Sequence, residues 1–222
     1  MQVKICGLTH PEQAQQCVAA GADAIGMVFY PPSPRNLDTI QAREIALAVE
    51  GVARIGVFVN STLEQIQKIA ANVPLDWIQL HGQEKEELAM DLQDAGFRVI
   101  KALSLPPQDA QCGAAADAVL LESAKGSLPG GNGIAWNWAA AEQYHQSRAD
   151  FNAKPWVLAG GLNCTNIEEA LAKAKPDAVD LCTGVEKKAG VKDLDKVREF
   201  IEKAKNLAAS TQSPKTPTRK LF

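Results

Sequence analysis

The chain has little of what several protein classes require. Aromatic residues fill only 5% of its 222 positions, and no block of Lys and Arg is interleaved with them, so no nucleic-acid footprint is present. No stretch approaches the ~18 consecutive apolar residues of a membrane span. The first residues, MQVKICGLTH, carry charge and turn formers where a signal peptide would carry an apolar run. The five cysteines (Cys6, Cys17, Cys112, Cys164, Cys182) are odd in number, widely spaced and contain no CxxC pair, which argues against a disulfide framework and against a zinc site.

What remains is ordinary for a globular protein: 46% hydrophobic, 22% charged and a formal net charge of −3. These values predict one soluble, reduced, cytoplasmic domain without metal, nucleic-acid partner or membrane contact. Short β-branched runs recur at 2–6, 23–29, 53–59, 75–81, 98–104, 117–122, 154–160 and 178–184. Helix-like segments such as PEQAQQCVAAGA, TIQAREIALAVE and STLEQIQKIAANV lie between them. Strands alternating with helices imply βα units and a parallel sheet, and near-continuous apolar strands imply cover on both faces. Eight such units predict an α/β fold closed into a (β/α)8 TIM barrel, with an open doubly wound sheet as the alternative. The barrel is assigned to 1–207. The Pro-, Ser- and Thr-rich segment 208–222 is expected to be a disordered tail. Ser61, three residues before Glu64, is the expected cap of the third helix.

In a barrel, chemistry sits at the C-terminal strand ends. The strongest physical signal is the pair of glycine turns after the last two strands, Gly160-Gly161 and Thr183-Gly184. Their amides can approach an anion closely, and a helix expected to begin near Asn163 would aim its positive end there, so a phosphate is the expected ligand. Lys4 and Cys6 are two apart and share a strand face. A buried Lys4 needs a carboxylate, and Asp180 on the neighbouring last strand supplies one. The Lys4 charge is expected to favour the Cys6 thiolate, with Asp180 offsetting part of that, although a free cysteine is more often a small buried hydrophobe. Glu122 closes an apolar strand. Partial desolvation there would favour the neutral carboxyl and suit a general acid, whereas the alternative is an exposed loop glutamate. His81 is read as a hydrogen-bonded structural residue or a substrate contact.

Several ordered motifs then resemble one family. They are Val3-Lys4-Ile5-Cys6-Gly7-Leu8-Thr9, Gly26-Met27-Val28-Phe29 through Ser33-Pro34-Arg35, Gly56-Val57-Phe58-Val59-Asn60 and Gln79-Leu80-His81-Gly82. Leu158-Ala159-Gly160-Gly161-Leu162, Gly184-Val185-Glu186 and Gly190-Val191-Lys192-Asp193 complete the set. In this order, over roughly 2–205, they resemble the phosphoribosylanthranilate isomerases of tryptophan biosynthesis. The resemblance implies a cofactor-free Amadori rearrangement of a small-molecule substrate by a monomer or homodimer. It implies Cys6 as general base, Glu122 as general acid, Arg35 as a substrate-binding residue and the two glycine turns as the phosphate site. Gly160, Gly161, Thr183, Gly184, Asp180, His81 and Lys4 complete the expected binding residues. The chain departs from the family in three places: Glu122 stands for an aspartate, Gly130-Gly131-Asn132-Gly133 precedes Trp136-Asn137-Trp138 where Phe-Asp-Trp is usual, and Cys182-Thr183 replaces two serines. Two other readings stay open: another phosphosugar isomerase on the same barrel, and a catalytically weak phosphate-binding barrel.

Overall fold

A computed structural model describes residues 1–105, 113–123, 137–147, 154–211 and 221–222. Eight parallel strands close into a barrel in sequence order. They are β1 (Gln2–Cys6), β2 (Ala24–Phe29), β3 (Ala53–Phe58), β4 (Trp77–Leu80), β5 (Arg98–Leu105), β6 (Ala118–Ser123), β7 (Trp156–Leu158) and β8 (Ala178–Leu181). Helices α1 (Pro11–Ala19), α2 (Thr39–Leu47), α3 (Leu63–Ala70), α4 (Glu86–Asp94), α5 (Trp138–Ser147), α6 (Ile167–Ala174) and α7 (Leu194–Thr211) lie between or after them. A hairpin of β9 (Glu186–Lys188) and β10 (Val191–Lys192) sits between β8 and α7. The closed ring excludes the open-sheet alternative, because β1 pairs with β8 as well as with β2.

Strand periodicity sorts the side chains. Ile5, Ile25, Met27, Phe58, Leu80, Leu121 and Leu181 point outward into the core shared with the helices. Their neighbours point inward. At the N-terminal end of the barrel the inner layer is apolar, built from Ala24, Ile55, Trp77, Ile100, Ala118, Leu120, Val157 and Ala178. Towards the C-terminal end the same period-two positions carry Lys4, Gln79, Glu122 and Asp180, all buried. A protein does not place four polar side chains in one layer for stability alone, since each must find a partner out of water.

Two local expectations are corrected. Thr62, not Ser61, caps α3: its hydroxyl accepts from the Gln65 amide while the Gln65 side chain accepts from the Thr62 amide. Helix α6 starts at Ile167, because Asn163 and Asn166 spend their side chains closing the turn before it. Helix α7 runs through Thr211, and Leu221 is buried in the inner apolar cluster with Phe222 packed against it. Asp193 caps the start of α7 through its carbonyl, which accepts from the Val197 amide at 2.9 Å. Cys112, the glycine motif at 130–133 and Trp136 lie outside the described residues.

Candidate active site

Register places the site. Lys4 lies opposite Asp180 across the β1–β8 seam, and the Lys4 Nζ stands 2.9 Å from Asp180 Oδ1, the pair that the closed barrel predicts. Both atoms are buried and are not aligned for a hydrogen bond. Burial opposes the charge on Lys4, but the Asp180 carboxylate and then Cys6 outweigh it, so the lysine is held firmly protonated. Gly26 on β2 makes room for this cluster: a Cβ there would lie 2.7 Å from Cys6 Sγ and 3.1 Å from Lys4 Nζ.

Cys6 is buried beside Val28 and Val57, with Tyr30 and Cys182 packed against them. The expected lowering of its pKa is not found. Burial pushes the thiol above its ordinary value, and the attraction of Lys4 and Lys192 recovers only part, because Asp180 works the other way.

Glu122 is buried rather than exposed, which removes the loop-glutamate alternative. Its Oε1 lies 3.0 Å from His81 Nε2 and 3.5 Å from Ser104 Oγ. His81 Nδ1 in turn lies 2.7 Å from Gln79 Nε2. Both ring nitrogens of His81 are thus engaged by the protein, so its place is against the carboxyl rather than facing a ligand. Burial disfavours a charged ring, but the charge and hydrogen bond of Glu122 overcome it and raise the His81 pKa.

Arg35 is held by residues that the sequence quotes only as motif letters. Its Nε and Nη2 donate to the two oxygens of Glu186 at 2.8 and 2.6 Å, a fork-to-fork contact. Lys192 Nζ donates to Glu186 Oε1 at 2.8 Å and to the Cys182 carbonyl at 3.2 Å. Burial alone would raise the Glu186 pKa, but Arg35 and Lys192 together hold it below the usual carboxylate value. The Arg35 side chain crosses directly over Gly7, where any Cβ would collide with it. Gly7 adjoins Cys6, so the guanidinium is brought next to the thiol. The signal that could have found Glu186 and Lys192 is their placement in a charged stretch, GVEKKAGVKD, whose hairpin has no helical or strand-core periodicity.

The two glycine turns meet. Gly160 and Gly161 hold φ of 86° and 67°, which a side chain rarely tolerates. Gly184 sits in a short 3₁₀ turn, Thr183–Val185, and a Cβ on it would overlap the Leu162 carbonyl. Two backbone-exposing turns therefore abut at the ends of β7 and β8. Amides in such glycine turns, with a neighbouring hydroxyl such as that of Thr183, are of the kind that bind an anion such as phosphate. Helix α6 begins six residues past Gly161, so the turns themselves, more than its first turn, carry that task. Cys182, in the place of a hydroxyl, is turned towards Lys192 and Glu186 at 3.6 and 3.7 Å, and burial pushes its thiol up to about 12. Among the described residues no group of His, Cys, Asp and Glu could hold a metal ion.

Comparison with known proteins sets these features in context. Residues 3–203 match the family model described as N-(5'-phosphoribosyl)anthranilate (PRA) isomerase. A curated protein of that name from Desulfatibacillum aliphaticivorans is 45% identical over 208 residues, covering 92% of this chain and 93% of its own. The crystal structure of phosphoribosyl anthranilate isomerase from Thermotoga maritima superposes with a TM-score of 0.83 at 36% identity, covering 93% of this chain and 99% of that one. A structure of the isomerase in complex with reduced 1-(o-carboxyphenylamino)-1-deoxyribulose 5-phosphate gives 0.80 at 36%, with coverage of 93% and 99%.

Proposed function

The chain belongs to the N-(5'-phosphoribosyl)anthranilate isomerase family, and on that premise we propose how its own residues divide the work. The reaction is the Amadori rearrangement of N-(5'-phosphoribosyl)anthranilate to 1-(o-carboxyphenylamino)-1-deoxyribulose 5-phosphate, an aldose–ketose isomerisation in tryptophan biosynthesis. Glu122 gives a proton to the ribose ring oxygen. The ring opens, and the nitrogen lone pair forms an iminium at C1′. Cys6 as thiolate takes the C2′ proton, leaving an enolamine that tautomerises to the aminoketone. Arg35 binds the substrate beside Cys6, and the turns Gly160-Gly161 and Thr183-Gly184 hold its phosphate. Lys4 and Asp180 shape the field at Cys6, while His81 supports Glu122.

The charge sequence fits a buried thiol. In the free protein burial disfavours the Cys6 thiolate, and Lys4 and Lys192 work in its favour. An iminium forming at C1′ places a positive charge beside the thiol, the same kind of interaction that Lys4 already supplies, and it arises only when the base is needed. The observation that carries this reading is the gathering, at one barrel rim, of a buried thiol, a buried carboxyl, a buried guanidinium and two touching glycine turns.

The test follows the loss of anthranilate fluorescence when enzyme meets freshly generated substrate. Turnover is expected in the wild type. In Cys6→Ser, kcat should fall by roughly 10²–10⁴-fold, the usual worth of a positioned base, while the reduced product analogue still binds. Unchanged kcat in Cys6→Ser would remove the base assignment.

A further inference from the structure

We propose that His81 is a positioning residue that acts through Glu122, with Gln79 holding the ring so that His81 Nε2–H occupies Glu122 Oε1 and leaves Oε2 as the oxygen that serves substrate. The inference rests on the reading of Glu122 as general acid and adds what that reading lacks, a reason for the acid to be aimed.

Gln79 and His81 project from the same face of β4 and its continuation, two residues apart, and Glu122 projects inward from β6. The three side chains form a line: Gln79 Nε2 to His81 Nδ1 at 2.7 Å, then His81 Nε2 to Glu122 Oε1 at 3.0 Å. Gln79 is fully buried, and its Oε1 has no hydrogen-bond partner. A buried amide is retained in an otherwise apolar strand only if its contacts matter.

The amide orients the ring through Nδ1. With Gln79 Nε2 donating, His81 Nδ1 must be the acceptor, so the ring hydrogen is on Nε2 and points at Glu122. If the ring is charged, Nδ1–H is satisfied by the amide turned over, with the free Oε1 accepting, and Nε2 still carries a hydrogen. Against an ionised Glu122, either arrangement makes His81 a donor to Oε1. With the amide as placed, a proton on Glu122 belongs on Oε2, since Ser104 Oγ also lies against Oε1, at 3.5 Å. The charged groups that face His81 are Glu122 on β6, Lys4 on β1 and Asp180 on β8. Lys4 and Asp180 are already paired with each other, which leaves Glu122 as the ring's own partner. The longer glutamate side chain is thereby anchored at one oxygen. A carboxyl with one more rotatable bond than aspartate needs such an anchor if its free oxygen is to be held in place.

The experiment is a double-mutant cycle read by steady-state kinetics. His81→Leu in the wild-type background should lower kcat by roughly ten- to a hundredfold, as expected for a catalytic group displaced by about an ångström, with KM within about twofold. In a Glu122→Gln background the same change should cost less than about twofold, because the group it positions is already gone. His81→Gln, which keeps an amide donor near the Nε2 position, should recover most of kcat and guards against a folding failure in the leucine variant. An equal loss from His81→Leu in both backgrounds, or a loss expressed in KM, would overturn the inference while leaving Glu122 as the acid. Full activity in Glu122→Gln alone would instead overturn the acid assignment, and this inference with it.

Discussion

Leu221 gives the sharpest stability test. Its side chain is 1% exposed and belongs to the apolar cluster that fills the N-terminal end of the barrel, with Trp77, Ile55 and Val157 among its members. Gln2 clamps the backbone there: its Oε1 accepts from the Leu221 amide at 2.5 Å, and its Nε2 donates to the Phe222 carbonyl at 2.8 Å. Phe222 meets Trp77 edge-on at 6.2 Å, and the Arg98 guanidinium lies 3.8 Å over the Trp77 ring. Full burial of a leucine is worth about 1.5–3 kcal/mol, and core Leu→Ala changes cost about 2–5 kcal/mol when a cavity stays behind. Leu221 can lift away instead of leaving a cavity, which caps the loss nearer the transfer value. Leu221→Ala should therefore cost about 2 kcal/mol. At roughly 2–4 °C per kcal/mol for a chain of this size, the unfolding midpoint should fall by about 4–8 °C. Thermal unfolding followed by circular dichroism measures the shift, and turnover at 25 °C should be unchanged, because the contact lies at the barrel end opposite the site. A midpoint within about 1 °C of wild type would refute the docking of Leu221.

Three further outcomes are expected, two from the site and one from the core. Glu186→Gln should raise KM about tenfold, since the Arg35 fork is lost, and should lower the unfolding midpoint, because Lys192 and Arg35 are left without a buried carboxylate; an unchanged KM would separate Glu186 from substrate binding. Stability should fall in alkali. Burial holds the Cys17 thiol up at about 11 against an ordinary 9.0, so its contribution is complete below pH 9 and is lost as pH rises through 11, on the order of 2–3 kcal/mol. Denaturant titrations between pH 8 and 11 should show a shallower decline in Cys17→Ala than in wild type, and parallel declines would count against it. Glu122→Asp should lower kcat by roughly ten- to a hundredfold by withdrawing the carboxyl from His81, and equal or better activity would show that the contact is dispensable.

Much of this was legible in the sequence, for identifiable reasons. The barrel was readable because each strand is a short β-branched run buried on both faces. The Lys4–Asp180 pair followed from closure, which makes the last strand the neighbour of the first. That two glycine-containing turns adjoin was readable, because they follow two adjacent strands. The sign of the Cys6 shift was not readable. It turns on how completely the thiol is buried, and a nearby lysine counts for less than burial on a strand covered on both sides. Nor was the Arg35–Glu186 fork, which joins residues 151 apart through a hairpin that has no periodicity to announce it. Asn163 misled because asparagine opens helices and closes turns with the same side chain, and here it closes a turn.

The departures from the family pattern read differently once they are placed in space. Taken singly, a longer acid at 122 and a thiol at 182 each remove something: a well-aimed carboxyl and a hydroxyl donor. In the fold each is met by a neighbour. The extra methylene of Glu122 carries its Oε1 to His81, whose ring is itself oriented by Gln79. Cys182 gives up a hydroxyl at the proposed phosphate site, where the Thr183 hydroxyl and the backbone amides of the two adjoining turns remain. Its sulphur instead lies by Lys192 and Glu186, the residues that brace Arg35. Glu186 binds Arg35 on one side and Lys192 on the other, so a change at 182 reaches the substrate arginine through two contacts rather than none. On the proposed roles of Glu122 as acid and Arg35 as binding cation, the two substitutions act on different partners, and their effects on turnover should be separable: position 122 in kcat, position 182 in KM.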